Sequence, residues 1–259
     1  MTERSKDGPI LVFLGPTLRL AEAQKFLNAV YLQPAAQGDV LLAAHAFRPR
    51  AMVLIDGQFE DRPAVRHKEI LWAIARGIVV IGAASMGALR AAELDDFGMI
   101  GVGLIYRWYR RRRLAPHPAP APDDAVAIHS GPPELGFLPL TDSLIDLQRT
   151  FSALMRSGHI TPSERSHLTT IARSMNFRER SLSAVLRAGG WPEGRREGLR
   201  KEMAGQKRKD ALLALQKAPD LVAGATRTSC GWVATNTFLR DLEAGGIDSN
   251  LVNTYKLKP

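Results

Sequence analysis

The sequence predicts a parallel β-sheet with helices on both faces, of the Rossmann-like or flavodoxin-like type, followed by a smaller all-helical region. Three observations carry this reading. The strand-like runs at residues 10–14, 51–55 and 78–81 are apolar throughout rather than alternating, which marks strands buried on both faces. Segments with helical spacing separate them, giving the strand–helix alternation of an α/β layer. Beyond Leu140 the apolar strand runs stop and only helical patterns follow.

The elements follow in order. Ile10 to Leu14 is a strand ending at the Gly15-Pro16-Thr17 turn. Leu18 to Val30 places Leu20, Ala23, Phe26, Leu27 and Val30 at helical spacing. Tyr31-Leu32 reads as a short strand, and Gln37 to Ala46 as a helix with Val40, Leu41 and Ala44 inward. Ala51 to Ile55 is the second buried strand, ending at Asp56-Gly57. Pro63 opens a helix carrying Val65, Ile70, Leu71 and Ile74 up to Gly77. Ile78 to Ile81 is the next strand and Ser85 to Leu94 its helix. Ala125 to Ile128 reads as a fourth core strand, and Ala115 to Pro122 as an exposed proline-rich connector. Past Thr141-Asp142 come helical segments starting at Leu144 and near 163–189, 193–216 and 232–243, with breaks at Gly189-Gly190 and Ala218-Pro219. The expected division is an α/β core over 10–141 and a basic helical region over 142–259.

Composition narrows the function classes. Hydrophobic residues make up 45% of the chain, enough for a sizeable core. A single cysteine, Cys230, excludes an intramolecular disulfide framework. With no secretory signal, the expectation is a reducing, cytoplasmic setting. The longest apolar stretch, Ile78 to Leu89, is shorter than the roughly 18 residues of a membrane span. The net charge of +9 is uneven. Arg107, Arg110, Arg111, Arg112 and Arg113 form one cluster, expected to bind a partner. The span 156–217 holds 14 Lys/Arg against 6 Asp/Glu. Such a surface suits an acidic protein, peptide or nucleic acid, but no zinc-finger or RNA-recognition signature is present, so nucleic acid is not favoured. No Walker A or G-x-G-x-x-G motif occurs, and no cofactor is expected. No close His, Cys, Asp and Glu cluster offers metal spacing, so no metal is expected either.

The candidate chemistry lies beyond the carboxyl ends of the strands, where ligands bind in such folds. Gly82-Ala83-Ala84-Ser85-Met86-Gly87 turns a strand sharply into a helix with small residues around a serine, the pattern of a nucleophile elbow with Ala83 in place of the first glycine. Ser85 can equally be a helix N-cap. Asp56 follows a strand and orients a histidine, binds a substrate amide or closes an Asx-turn. His67 borders the packed side of its helix, as a structural histidine or a base for Ser85. Arg90 and Glu93, three apart, can pair, or Arg90 can hold a carboxylate or thiocarboxylate.

Taken together, these motifs resemble the TfuA-like proteins, partners of YcaO enzymes in peptide modification. The resemblance runs through Phe13-Leu14-Gly15-Pro16-Thr17-Leu18, Gln37-Gly38-Asp39-Val40, Ile55-Asp56-Gly57 with Phe59, and His67-Lys68-Glu69-Ile70-Leu71-Trp72-Ala73. It continues through Ser85 to Glu93, Phe97 to Gly103, Gly131, Pro133 to Gly136 and Pro139-Leu140-Thr141. It implies backbone thioamidation, in which YcaO activates a peptide amide with ATP and sulfide replaces the oxygen. The TfuA-like partner engages a ubiquitin-like sulfur-carrier protein and hydrolyses its C-terminal thiocarboxylate. The precursor peptide is a further candidate partner. On that basis Ser85, His67 and Asp56 are expected to be catalytic, as nucleophile, base and orienting carboxylate. A water activated by Asp56 or His67 is the alternative nucleophile. The Met86 N–H would hold the oxyanion and Arg90 the substrate charge. Gly15, Thr17, Gly57 and Gly82 would admit a thin Gly-Gly tail. The competing reading is a non-catalytic adaptor that brings carrier or precursor peptide to YcaO.

Overall fold

The computed structural model describes residues 8–59, 62–114, 122–226 and 232–247. Cys230 and almost all of the proline-rich connector lie outside them. Five strands form one parallel sheet: β1 (Ile10–Phe13), β2 (Val30–Leu32), β3 (Ala51–Leu54), β4 (Val79–Ala83) and β5 (Ile100–Val102), in the order β2-β1-β3-β4-β5. The register pairs Phe13 with both Leu32 and Leu54, Leu54 with Gly82, and Gly82 with Gly101, so the strands end together. This is the flavodoxin-like order, with its topological switch between β1 and β3.

Although every residue of β1, β3 and β4 is buried, the two faces have different partners. Leu11, Phe13, Met52, Leu54 and Val80 pack under α2 (Asp39–Phe47), α3 (His67–Ala75), α4 (Met86–Leu94) and α5 (Gly103–Arg113). On the opposite face, Ile10, Val12, Val53, Ile81 and Ala83 meet the one-turn α1 (Leu20–Ala23), Leu27 and a long helix from the far end of the chain. The helical region supplies that helix. It consists of α6 (Leu144–Arg156), α7 (Pro162–Ser174), α8 (Leu182–Ala188), α9 (Glu193–Leu199), α10 (Gln206–Gly224) and α11 (Asn236–Ala244). Ala211, Ala214, Leu215, Ala218 and Val222 of α10 cover the second face of the sheet. The α/β layer is therefore completed by residues past 142.

Four local expectations are corrected. The helix drawn over Leu18 to Val30 is a single turn, because the chain must reach β2, which takes Val30 as its first residue. The helix opened at Pro63 begins at His67, after a loop in which the Pro63 carbonyl accepts from the Gln37 N–H. The strand expected at Ala125 to Ile128 is a turn of 3-10 helix at Asp123–Ala125 and a loop; β5 occupies the sheet edge instead. The break at Pro219 is absent: α10 runs through it to Gly224. A proline removes one N–H from the helix ladder, and burial of the flanking Ala218 and Val222 on the sheet outweighs that loss.

Candidate functional site

The site is built where β1, β3 and β4 end. Asp56 follows β3 and is 2% exposed. Its Oδ2 accepts from the Gly15 N–H at 2.9 Å and the Thr17 N–H at 3.1 Å, and its Oδ1 from the Thr17 hydroxyl at 2.6 Å. Three donors from one turn pin the β1 loop to β3 across the switch point. Gly15 is required there, because a Cβ would stand 2.4 Å from the Pro34 ring.

The β4–α4 corner is strained at Ala84, whose φ is +65°. The Ser85 N–H donates to the Ala83 carbonyl at 2.8 Å, closing a three-residue turn around Ala84. The residue at the bend is thus Ala84, and Ser85 follows it with a φ of −112° as the N-cap of α4. Close packing explains the small residues. Cβ atoms on Gly87 and Gly82 would meet the Leu54 and Gly87 carbonyl oxygens at 1.8 and 2.1 Å. Gly57 admits Met86, whose side chain lies within 3 Å of where a Cβ would stand. Ser85 is 8% exposed and makes no cap bond. Among the described residues its hydroxyl has no hydrogen-bond partner, and the Met86 N–H donates to none. An N-terminal N–H and a hydroxyl left unspent at a helix start form a natural anion site.

A pocket opens over this corner. Asp56, Gly57, Ser85 and Met86 form its floor, with Pro16, Pro34, Phe59 and Phe177 around them. The loop after Asp123 forms another wall with Val126, His129 and Ser130, and Arg178 and Lys207 add two cations. That loop is fixed from behind. The buried Arg180 donates to the Asp124 carboxylate at 2.9 Å and to the Asp124 carbonyl at 2.8 Å, and Lys207 Nζ donates to the Val126 carbonyl at 2.9 Å. Lys207 is 4% exposed. Burial pulls its pKa below the ordinary 10.5, while the carboxylates of Asp56 and Asp146 push the other way. A second, more apolar groove, lined by Leu18, Tyr31, Leu32, Leu135 and Leu138, shares Pro16 and Phe137 with the pocket.

The expected site residues separate into three groups. Asp56, Gly57, Ser85 and Met86 come together in the pocket; Gly15 and Thr17 support it through Asp56, and Gly82 packs beneath α4. His67 and Arg90 do not line it. The His67 Nε2 lies 2.7 Å from Glu93 Oε2, Arg90 Nη1 donates to the same oxygen at 2.7 Å, and Arg90 Nε donates to the Val65 carbonyl. Burial alone would raise the Glu93 pKa, but these two partners hold it below the ordinary 4.5. Thus Ser85, His67 and Asp56 are not linked to one another by hydrogen bonds. The arginines of α5 form the third group. Arg110 and Arg113 pair with Asp95, and Arg113 with Asp96 as well. Arg112 stacks on Trp108, and Arg107 bonds the Gly103 carbonyl. Among the described residues no group of three or more His, Cys, Asp or Glu is placed to hold a metal ion.

Sequence reasoning missed His129, Arg178 and Lys207 in the pocket. Lys207 had a signal: with Asp210, Ala211, Ala214 and Ala218 it shares the inner stripe of α10. His129 and Arg178 lie on loops with no such pattern.

The fold and pocket define a class: a flavodoxin-like α/β protein with a pocket at the strand ends, roofed by its own helical region. Within that class, residues 56–181 match the model of the family described as TfuA-like protein. No curated protein matches the chain. The family match supports an accessory role in thioamide-forming systems, in partnership with a YcaO-type system. No helix among the described residues is long and apolar enough to cross a membrane.

Proposed function

We propose that this protein supplies sulfide to a YcaO-type enzyme by hydrolysing the C-terminal thiocarboxylate of a ubiquitin-like sulfur-carrier protein at the Ser85 pocket, in the cytoplasm. The observation that carries the reading is the unpaired Ser85 hydroxyl beside an unspent Met86 N–H, buried at the mouth of the sheet. Ser85 Oγ bonds to the thiocarboxylate carbon and the C–S bond breaks. The hydroxyl proton leaves with the sulfur as hydrosulfide. Water then cleaves the acyl ester, giving the carboxylate and restoring Ser85. The Met86 N–H at the start of α4 stabilises the oxyanion. Asp56 holds the Gly15–Thr17 turn that shapes the pocket, and the apolar groove sharing Pro16 and Phe137 gives the carrier tail a path in. The test is sulfide release from a thiocarboxylated carrier by wild type and by folded Ser85→Ala. Turnover lost only in the variant supports the reading; equal turnover moves the nucleophile to water.

One observation favours the adaptor reading: His67, the expected base, is bound to Glu93 rather than to Ser85. An adaptor binds carrier or precursor peptide without turnover. Arg107→Glu with Arg111→Glu would weaken that binding, and these two positions leave the Asp95 ion pairs intact.

A further inference from the structure

The ammonium of Lys207 is an oddity of this molecule. It comes from the second residue of α10, outside the span that matches the family model. It is almost fully buried and forms no ion pair among the described residues. Among the described residues its hydrogen bond to the Val126 carbonyl uses one of three N–H donors. Taking an ammonium out of water is expensive even with the Asp56 and Asp146 carboxylates near enough to favour its charge, and proteins keep one chiefly where it acts. The helix holds it firmly: the Lys207 N–H donates to Asp146 Oδ1 at 3.1 Å, and Asp146 is itself bonded to Ser143. The side chain lines the same pocket as Ser85 and Met86. The pocket thus offers an ammonium with spare donors, a hydroxyl and a helix-terminal N–H, and all three suit one anionic group.

We propose that Lys207 is the substrate-binding cation that seats the anionic chain terminus over Ser85 and the Met86 N–H, so that the helical region takes part in recognition as well as in covering the sheet. This rests on reading the pocket as the substrate site. It gives to Lys207 the charge-holding role that the sequence suggested for Arg90, whose guanidinium is spent on Glu93 and Val65.

The experiment measures binding, without turnover, of a peptide ending in Gly-Gly as the free acid and as the C-terminal amide, to the full chain. Wild type is expected to prefer the acid at least ~10-fold, the worth of a hydrogen bond to a charged group. Lys207→Met removes the preference by weakening the acid form alone, and Lys207→Arg retains it. A purely structural role, holding the Val126 carbonyl, would weaken both peptides equally and leave the ratio unchanged. That result, or a wild type without acid preference, overturns the proposal. Should the Met variant not fold, Lys207→Gln is read in the same way. Acid preference without sulfide release would sink the hydrolase reading and leave the Lys207 assignment standing.

Discussion

The two ends of α4 treat polar groups in opposite ways. Near its C-terminal end, Glu93 takes hydrogen bonds from both His67 and Arg90, and Arg90 also satisfies the Val65 carbonyl. At its N-terminus, the Ser85 hydroxyl and the Met86 N–H stay unspent inside a pocket. The C-terminal cluster is a lock that ties α3 to α4, with side chains half and one-third exposed. The N-terminal corner is strained at Ala84, which costs stability. Paired groups have finished their chemistry; unpaired buried ones are available to a ligand. On the proposed reading, one end of the helix serves stability and the other recognition.

The largest test of this contrast is at the corner. Ser85→Ala should lower sulfide release more than ~1,000-fold, with an unchanged melting temperature, because no hydrogen bond is lost. A melting temperature that falls sharply would mean the hydroxyl is a structural cap after all.

Next comes the contact that places the corner. Gly87→Ala sets a Cβ 1.8 Å from the Leu54 carbonyl oxygen, so α4 must move off β3. The expected loss is about 3 kcal/mol, readable by urea denaturation, and a neutral variant would show that the helix start can shift freely.

A fully paired buried group gives the pH counterpart. Glu69 accepts from the Gly38, Val40 and Arg66 N–H groups and so ties α3 to the start of α2. Burial pushes its pKa from 4.5 up to about 7 despite those donors. Between the two values the folded chain holds more protons than the unfolded one, so stability falls as pH rises through that window. The drop is on the order of 3 kcal/mol. Melting curves at pH 5 and pH 8 should show it in wild type and not in Glu69→Gln. An identical slope in both proteins would place the titration elsewhere.

The smallest effect is expected at the lock. His67→Ala removes one partner of a partly exposed carboxylate, worth under ~1 kcal/mol, and should change sulfide release less than ~5-fold. A loss as large as that of Ser85→Ala would mean that His67 leaves Glu93 in the complex and serves Ser85 as its base.

Much of this was legible in the chain. The apolar runs of β1, β3 and β4 announced a parallel sheet, because strands covered on both faces need no polar alternation. The corner at Ser85 was visible from its small neighbours, which tight packing against β3 demands. The Arg90–Glu93 pair followed from helical spacing alone. These features are local, set by residues a few positions apart. Others depend on residues far apart in sequence. His67 could have reached Ser85 or Glu93, and only the crossing of α3 and α4 decided for Glu93. Asp56 became the anchor of the Gly15–Thr17 turn because β1 and β3 lie side by side at the switch point. Lys207, 151 positions after Asp56 in number, reached the same pocket because a bare sheet face needed α10 to cover it. Local sequence determines which segments are strands, helices and tight turns, since backbone geometry and side-chain period act over short range. Which charges meet in the pocket is decided by the burial of whole faces, and that exists only once the chain has folded.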